Sequence, residues 1–244
     1  MSHFSSIGFP VNDRQGLEAL ASLVAAKGRG VEVAGGGYIA LAFKDGVQLW
    51  AQANAKRQVI GCHPHFAGKS VVRVRVGDLV PDPRSAFDGS VVATMVDEEA
   101  AGCPLRCDLP DYALAANGTT PGAALDLQIA AFAERLQYFA NEDAFRSDAT
   151  INSLSTKAFI PTGLLAPDGK PRQPQRSEAI FTGRIRETEL RSNPLTGLPY
   201  RHILVESLGG SFDVVADPQI IQGAPPQSGG LVFGSFWLSA RIKG

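Results

Sequence analysis

From residue 178 onward the chain carries no helical period, and this limits its fold more than any other feature. Four runs rich in β-branched and aromatic residues, AIFTGRIRETEL, PYRHILVESL, SFDVVA and GLVFGSFWLSARI, are separated by turn formers such as Asn193-Pro194, Thr196-Gly197 and Gly209-Gly210. Only strands fit that pattern. If the last run alternates, Val232, Phe236, Leu238, Ala240 and Ile242 face one side, while Leu231, Phe233 and Trp237 face the other. Both sides are apolar, which predicts a strand covered on both faces. Leu231, Phe233 and Trp237 are therefore expected at an interface, with the rest of the chain or with a protein partner, self-association included.

In strand count, length and the long loop before its last strands, this tail resembles a small Greek-key barrel of the OB type. That resemblance raises single-stranded nucleic acid as a ligand, which needs aromatic platforms beside a basic groove. Tyr200, Phe212, Phe233 and Trp237 supply aromatics, but from residue 178 six Lys+Arg face six Asp+Glu, and the whole chain has a formal net charge of −1. The missing basic excess argues against nucleic acid.

Upstream the signals are mixed. Leu17, Leu20, Ala21 and Val24 mark a helix with Asn12-Asp13 as capping residues and Gly28 as its stop. Asp45-Gly46 predicts a two-residue hairpin in which Leu41 lies opposite Trp50, so that Ile39, Leu41, Phe43 and Trp50 share a face. VVRVRV at 71–76 alternates as a strand with one wet face, and a further strand is expected over 90–96, after a turn at Asp88-Gly89. Thr120-Pro121 opens what reads as a second helix, with Leu125, Ile129, Phe132, Leu136 and Phe139 as its stripe and an end near Asn141. Four prolines and two glycines in PTGLLAPDGKPRQPQR, residues 161–176, leave little room for a regular element. The expected fold is α+β. A mixed domain over 1–166, with two main helices on a largely antiparallel sheet, is followed by a Pro-rich linker over 167–177 and a small OB-like barrel over 178–244.

Signatures of chemistry are sparse. Gly68-Lys69-Ser70 resembles the end of a phosphate loop, but the upstream glycine is misplaced and a strand follows where a helix is needed. Gly35-Gly36-Gly37 fits a bend between strands better than a dinucleotide fingerprint. The richest cluster is Cys62-His63-Pro64-His65, which Cys103 and Cys107 could join in space. In an extended segment His63 and His65 point to the same side, and imidazoles with thiolates suit zinc. Cys103 and Cys107 lack tight knuckle spacing, however, so the preferred reading is a loop with surface His and buried Cys. No catalytic residue or cofactor-binding motif is assigned. Asp97-Glu98-Glu99 and Glu142-Asp143 read as charge at element ends.

Three cysteines suit a reducing cytoplasm rather than a disulfide scaffold. Neither a signal sequence nor a membrane span is expected, since prolines 218, 225 and 226 interrupt the longest uncharged stretch. The leading function is a non-catalytic binding or assembly module. The second is a metal-dependent enzyme centred on His63 and His65, and the third is nucleic-acid binding through the barrel.

Overall fold

The structure, a computed structural model, describes residues 2–166 and 168–243. Met1, Pro167 and Gly244, which limit the expected segments, lie outside them. The chain is mostly β, 50% strand and 16% helix, which overturns the expected α+β fold. Among the described residues α-helix is confined to α1 (Arg14–Lys27), α2 (Tyr112–Gly118) and α3 (Glu142–Ser147). None is long and apolar enough to cross a membrane.

Helix α1 forms as expected: the Asp13 side chain accepts the Gly16 N–H at 2.7 Å, and the helix stops at Gly28. An antiparallel meander follows, β1 (Arg29–Val33), β2 (Gly36–Ala42), β3 (Val47–Asn54) and β4 (Val59–Phe66). Its β2–β3 turn differs from expectation by one residue. Gly46, at φ 99°, closes a three-residue loop in which the Phe43 N–H donates to the Val47 carbonyl at 2.9 Å. Leu41 therefore pairs with Leu49, and Trp50 turns to the opposite face, against Tyr38 and Phe87.

The second sheet contains β5 (Val72–Asp82), β6 (Ser85–Met95), β7 (Pro104–Asp108), β8 (Ala124–Phe139) and β9 (Ala158–Ile160). It continues through β10 (Glu178–Ser192), β11 (Pro199–Ser207), β12 (Gly210–Ala216), β13 (Ile221–Gln222) and β14 (Leu231–Ile242). In β5 the alternation holds as read, with Val72, Val74 and Val76 buried between exposed Arg73 and Arg75. Strand β6 starts earlier than expected. The turn falls at Pro83-Arg84, and Asp88-Gly89 lies inside the strand.

The expected second helix is strand β8. Its faces are both buried, Leu127, Ile129, Ala131 and Leu136 in one apolar cluster and Ala130 and Phe132 in another. A strand covered on both sides loses the two-residue alternation that identifies it, and its apolar positions then mimic a helical stripe. Along one edge β8 meets β5 and then β12, while its other edge pairs with β14 from Leu127↔Ile242 to Phe139↔Leu231. These pairings close two rings, β5-β6-β7-β14-β8 and β10-β11-β12-β8-β14, that share the two long strands. One apolar core runs through both.

The expected barrel over 178–244 does not close on its own residues, because β8 completes its ring. The segment after Ile160 is irregular, as expected, but it folds back on the sheet: the Gly163 N–H donates to the Glu178 carbonyl and the Arg176 N–H to the Gly163 carbonyl, both at 2.8 Å.

A candidate ligand cleft on the outer face of the barrel

Strand β7 alternates: Leu105 and Cys107 enter the core, so Arg106 and Asp108 face outward. The same logic on β6, where Val91 and Ala93 are internal, turns Ser90 outward, directly across from Asp108. On its other side Asp108 pairs with Ser239 of β14. Ser90, Asp108 and Ser239 thus form a polar row on the barrel wall, with Arg106 beside it. His63 of β4, residues 80–84 of the β5–β6 hairpin and residues 173–175 rise around this floor and enclose a cleft of about 770 Å3. Val80, Pro81, Pro83, Leu109, Pro110 and Pro174 give the walls an apolar component.

The acids of the cleft are already engaged. Asp108 accepts the Trp237 indole N–H on one oxygen and the Ser177 hydroxyl on the other, both at 2.7 Å. Asp88 sits 2.8 Å from His63 Nε2 and also accepts from the Gln52 side chain. Asp82 holds Arg84 through Nε and Nη2, at 3.0 and 2.8 Å. Burial opposes charge on both members of the His63–Asp88 pair, but their contact outweighs it, raising the pKa of His63 and lowering that of Asp88.

Two polar atoms of cleft-lining residues have no partner in the protein. Among the described residues, the buried side-chain polar atoms without a partner are Ser90 Oγ and Arg106 Nε. Arg106 makes only a long 3.4 Å contact from Nη1 to the Gln175 side chain. Both atoms are closed off by the surrounding side chains.

Behind Ser239 the floor continues into a buried hydrogen-bond chain. His65 Nδ1 lies 2.9 Å from Ser239 Oγ, and its Nε2 lies 2.9 Å from Gln128 Oε1. Because the Gln128 oxygen can only accept, His65 carries its proton on Nε2 and accepts the Ser239 O–H. Burial pushes its pKa down to about 3, so the ring is neutral near pH 7. Gln128 Nε2 donates at 2.9 Å to Asp213, which also accepts His202 Nε2 at 2.9 Å and the backbone N–H groups of Lys69 and Ser70 at 3.2 and 2.8 Å. Gly68-Lys69-Ser70 therefore cradles an oxyanion, and the oxyanion is the chain's own Asp213. A Cβ at Gly68 would stand 2.1 Å from that carboxylate, so only glycine fits there.

The proposed metal residues are dispersed. His63 faces the cleft, His65 lies in the chain behind it, and Cys62 points the other way into the cluster with Val47 and Phe66. Cys107 belongs to the barrel core and Cys103 packs against it. Burial raises all three thiols, Cys62 to about 12. Among the described residues no group of three or more His, Cys, Asp and Glu side chains is arranged to hold a metal ion.

The expected interface residues divide between two covers. Trp237 packs on Phe132 at 5.0 Å between ring centroids and stacks with His3 at 4.3 Å. Leu231 and Phe233 pack with Phe139, Phe145 and Ile151. In both cases this chain supplies the cover. Asp97 caps a short 3-10 helix, and Glu142 and Asp143 begin α3, as residues at element ends do.

Sequence reasoning missed Ser90, Asp88, Arg106, Asp108 and Gln175. The alternation of Leu105 and Cys107 with Arg106 and Asp108 carried a signal, whereas placing a turn at Asp88-Gly89 hid Ser90. No protein family, curated protein or solved structure matches this chain.

Proposed function

We propose that this protein is a binding module that takes a small ligand into the cleft between β4, the β5–β6 hairpin and the outer wall of β6, β7 and β14. The observation that carries the reading is the concave site itself, where Arg106, a cation with no ion-pair partner among the described residues, stands beside apolar walls from Val80, Pro81, Leu109 and Pro110. Its volume of about 770 Å3 falls within the range of small-molecule pockets. The cleft acids support binding over acid–base catalysis, because Asp108 is fixed between Trp237 and Ser177 and Asp88 between His63 and Gln52. Three free cysteines fit a reducing compartment, and we place the protein in the cytoplasm.

Screening the 15N-labelled protein against mixed small metabolites tests the reading. Hits should move the Trp237 indole resonance and the amides of residues 88–90 and 106–109 together. Hits that cluster on another surface would refute it.

A further inference from the structure

We propose that His63 and Asp88 form a proton-controlled clasp that fixes the β4 wall of the cleft against β6, holding it when His63 is charged and loosening it when the proton leaves. In giving the cleft its regulation the inference rests on the cleft being a ligand site, but the clasp is tested without ligand, so the two fail separately.

Pairing within the meander decides which side chains reach β6. Leu49, Ala51 and Cys62 enter the inner apolar cluster, so Trp50, Gln52 and His63, with Tyr38 across from Gln52, share the other face. Among the described residues no backbone ladder joins the four meander strands to the larger sheet. At this corner the two meet through side chains, and the polar joints to β6 land on two residues. Tyr38 Oη donates to the Phe87 carbonyl at 2.7 Å, and Gln52 Nε2 donates to the same carbonyl at 3.4 Å and to the Asp88 side chain. His63 Nε2 meets Asp88 at 2.8 Å. The apolar cluster at the corner is small, with Tyr38, Trp50 and Phe87 as its buried members, so the polar joints carry weight there.

Of these joints, His63 is the one that changes charge near neutral pH. Burial holds the Tyr38 phenol up at about 12, and Asp88 lies below the ordinary carboxylate value. Half-buried His63 faces acids on three elements, Asp82 of the β5–β6 hairpin, Asp88 of β6 and Asp108 of β7. Burial pushes its pKa down, but contact with Asp88, then the charges of Asp108 and Asp82, push it up further. The cations on those elements are Arg84, held by Asp82, and Arg106, while Arg241 of β14 pairs with Asp111 and lies over the Trp50 ring. A raised folded pKa contributes stability that is fully present below the unfolded value, about 6.5, and lost as pH rises through the folded midpoint. Neutral His63 still offers its Nε2–H, but the ion pair is gone and the Asp88 charge stands uncompensated near Asp82 and Asp108.

The test is amide hydrogen exchange on the full 15N-labelled chain between about pH 5.5 and 9, with intrinsic exchange rates divided out, alongside an NMR titration of the His63 ring. Protection at residues 61–63 of β4 should fall about threefold or more as pH rises through the His63 midpoint, while residues 201–205 of β11 stay level. His63→Gln keeps a side-chain donor that does not titrate, so its protection at 61–63 should not change over that range. Constant protection at 61–63 in the unaltered protein would overturn the clasp, and so would an equal fall in His63→Gln or an equal fall at 201–205. If the variant does not fold, the unaltered protein decides: a fall in protection centred away from the His63 midpoint would overturn the clasp, and coincident midpoints would support it.

Discussion

Replacing Asp213 with Asn changes almost no volume, so its effect isolates the hydrogen bonding behind the cleft. The carboxylate is fully buried and accepts four donors: His202 Nε2, Gln128 Nε2 and the N–H groups of Lys69 and Ser70. His202 and Lys69 share one oxygen, Gln128 and Ser70 the other. An amide has one oxygen and one NH2: turned toward Gln128 and Ser70 the NH2 faces two donors, and turned toward His202 and Lys69 it leaves the Lys69 N–H unpaired and forces His202 to accept at Nε2. At roughly 1–3 kcal/mol for each buried unpaired group, the loss should be about 2 kcal/mol or more. That is a large share of the roughly 5–15 kcal/mol that holds a typical domain folded. Urea denaturation reads it as a lower midpoint with an unchanged slope.

The same site sets a pH dependence. Burial pushes the Asp213 carboxyl up, but the bonds from His202 and Ser70 outweigh it and hold its pKa below the ordinary 3.8. A depressed folded pKa contributes stability that is present above the unfolded value and lost as pH falls through the folded one. The unaltered protein should therefore lose stability on acidification below about pH 4, and Asp213→Asn should lose less over that window. A cost under about 1 kcal/mol, with the acid slope unchanged, would refute the placement of Asp213 at the centre of four donors.

Three further outcomes follow from other contacts. Trp237→Ala should cost about 4 kcal/mol, the range for a buried large aromatic, and Trp237→Phe about 1.5 kcal/mol for the lost bond to Asp108; a Trp237→Phe cost near zero by denaturant midpoint would mean that the indole N–H is unbonded. In an NMR titration His63 should protonate with a midpoint above 6.5, and Asp88→Asn should lower that midpoint; no change in the variant would break the pair. A thiol reagent should modify half-buried Cys103 in the native protein and reach Cys62 and Cys107 only on unfolding, and native-state modification of all three would contradict their packing.

Two elements are legible in the sequence because one face is dry and the other wet. Helix α1 showed its period and both ends, and β5 announced itself through Arg73 and Arg75 between buried valines. The two faces of β14 were also assigned correctly, with Val232, Phe236, Leu238 and Ala240 in the barrel core and Trp237 outside it. Strand β8 was misread because residues 3–7 and the apolar cluster they share with the meander bury the face that would otherwise be polar. That single error hid the barrel, since β8 closes both rings. Turn geometry caused the other misreadings: Asp45-Gly46 belongs to a three-residue loop, and Asp88-Gly89 is not a turn at all. The cleft was illegible for a different reason. Its floor joins residues 90, 106, 108 and 239, and only the closed sheet brings them side by side.

The most direct test of the ligand cleft is a high-resolution crystal structure of the protein grown with a hit from the metabolite screen. The bound molecule should lie between His63, Arg106, residues 80–84 and residues 173–175. A cleft filled by the protein's own side chains, or the molecule bound on another surface, would contradict the reading.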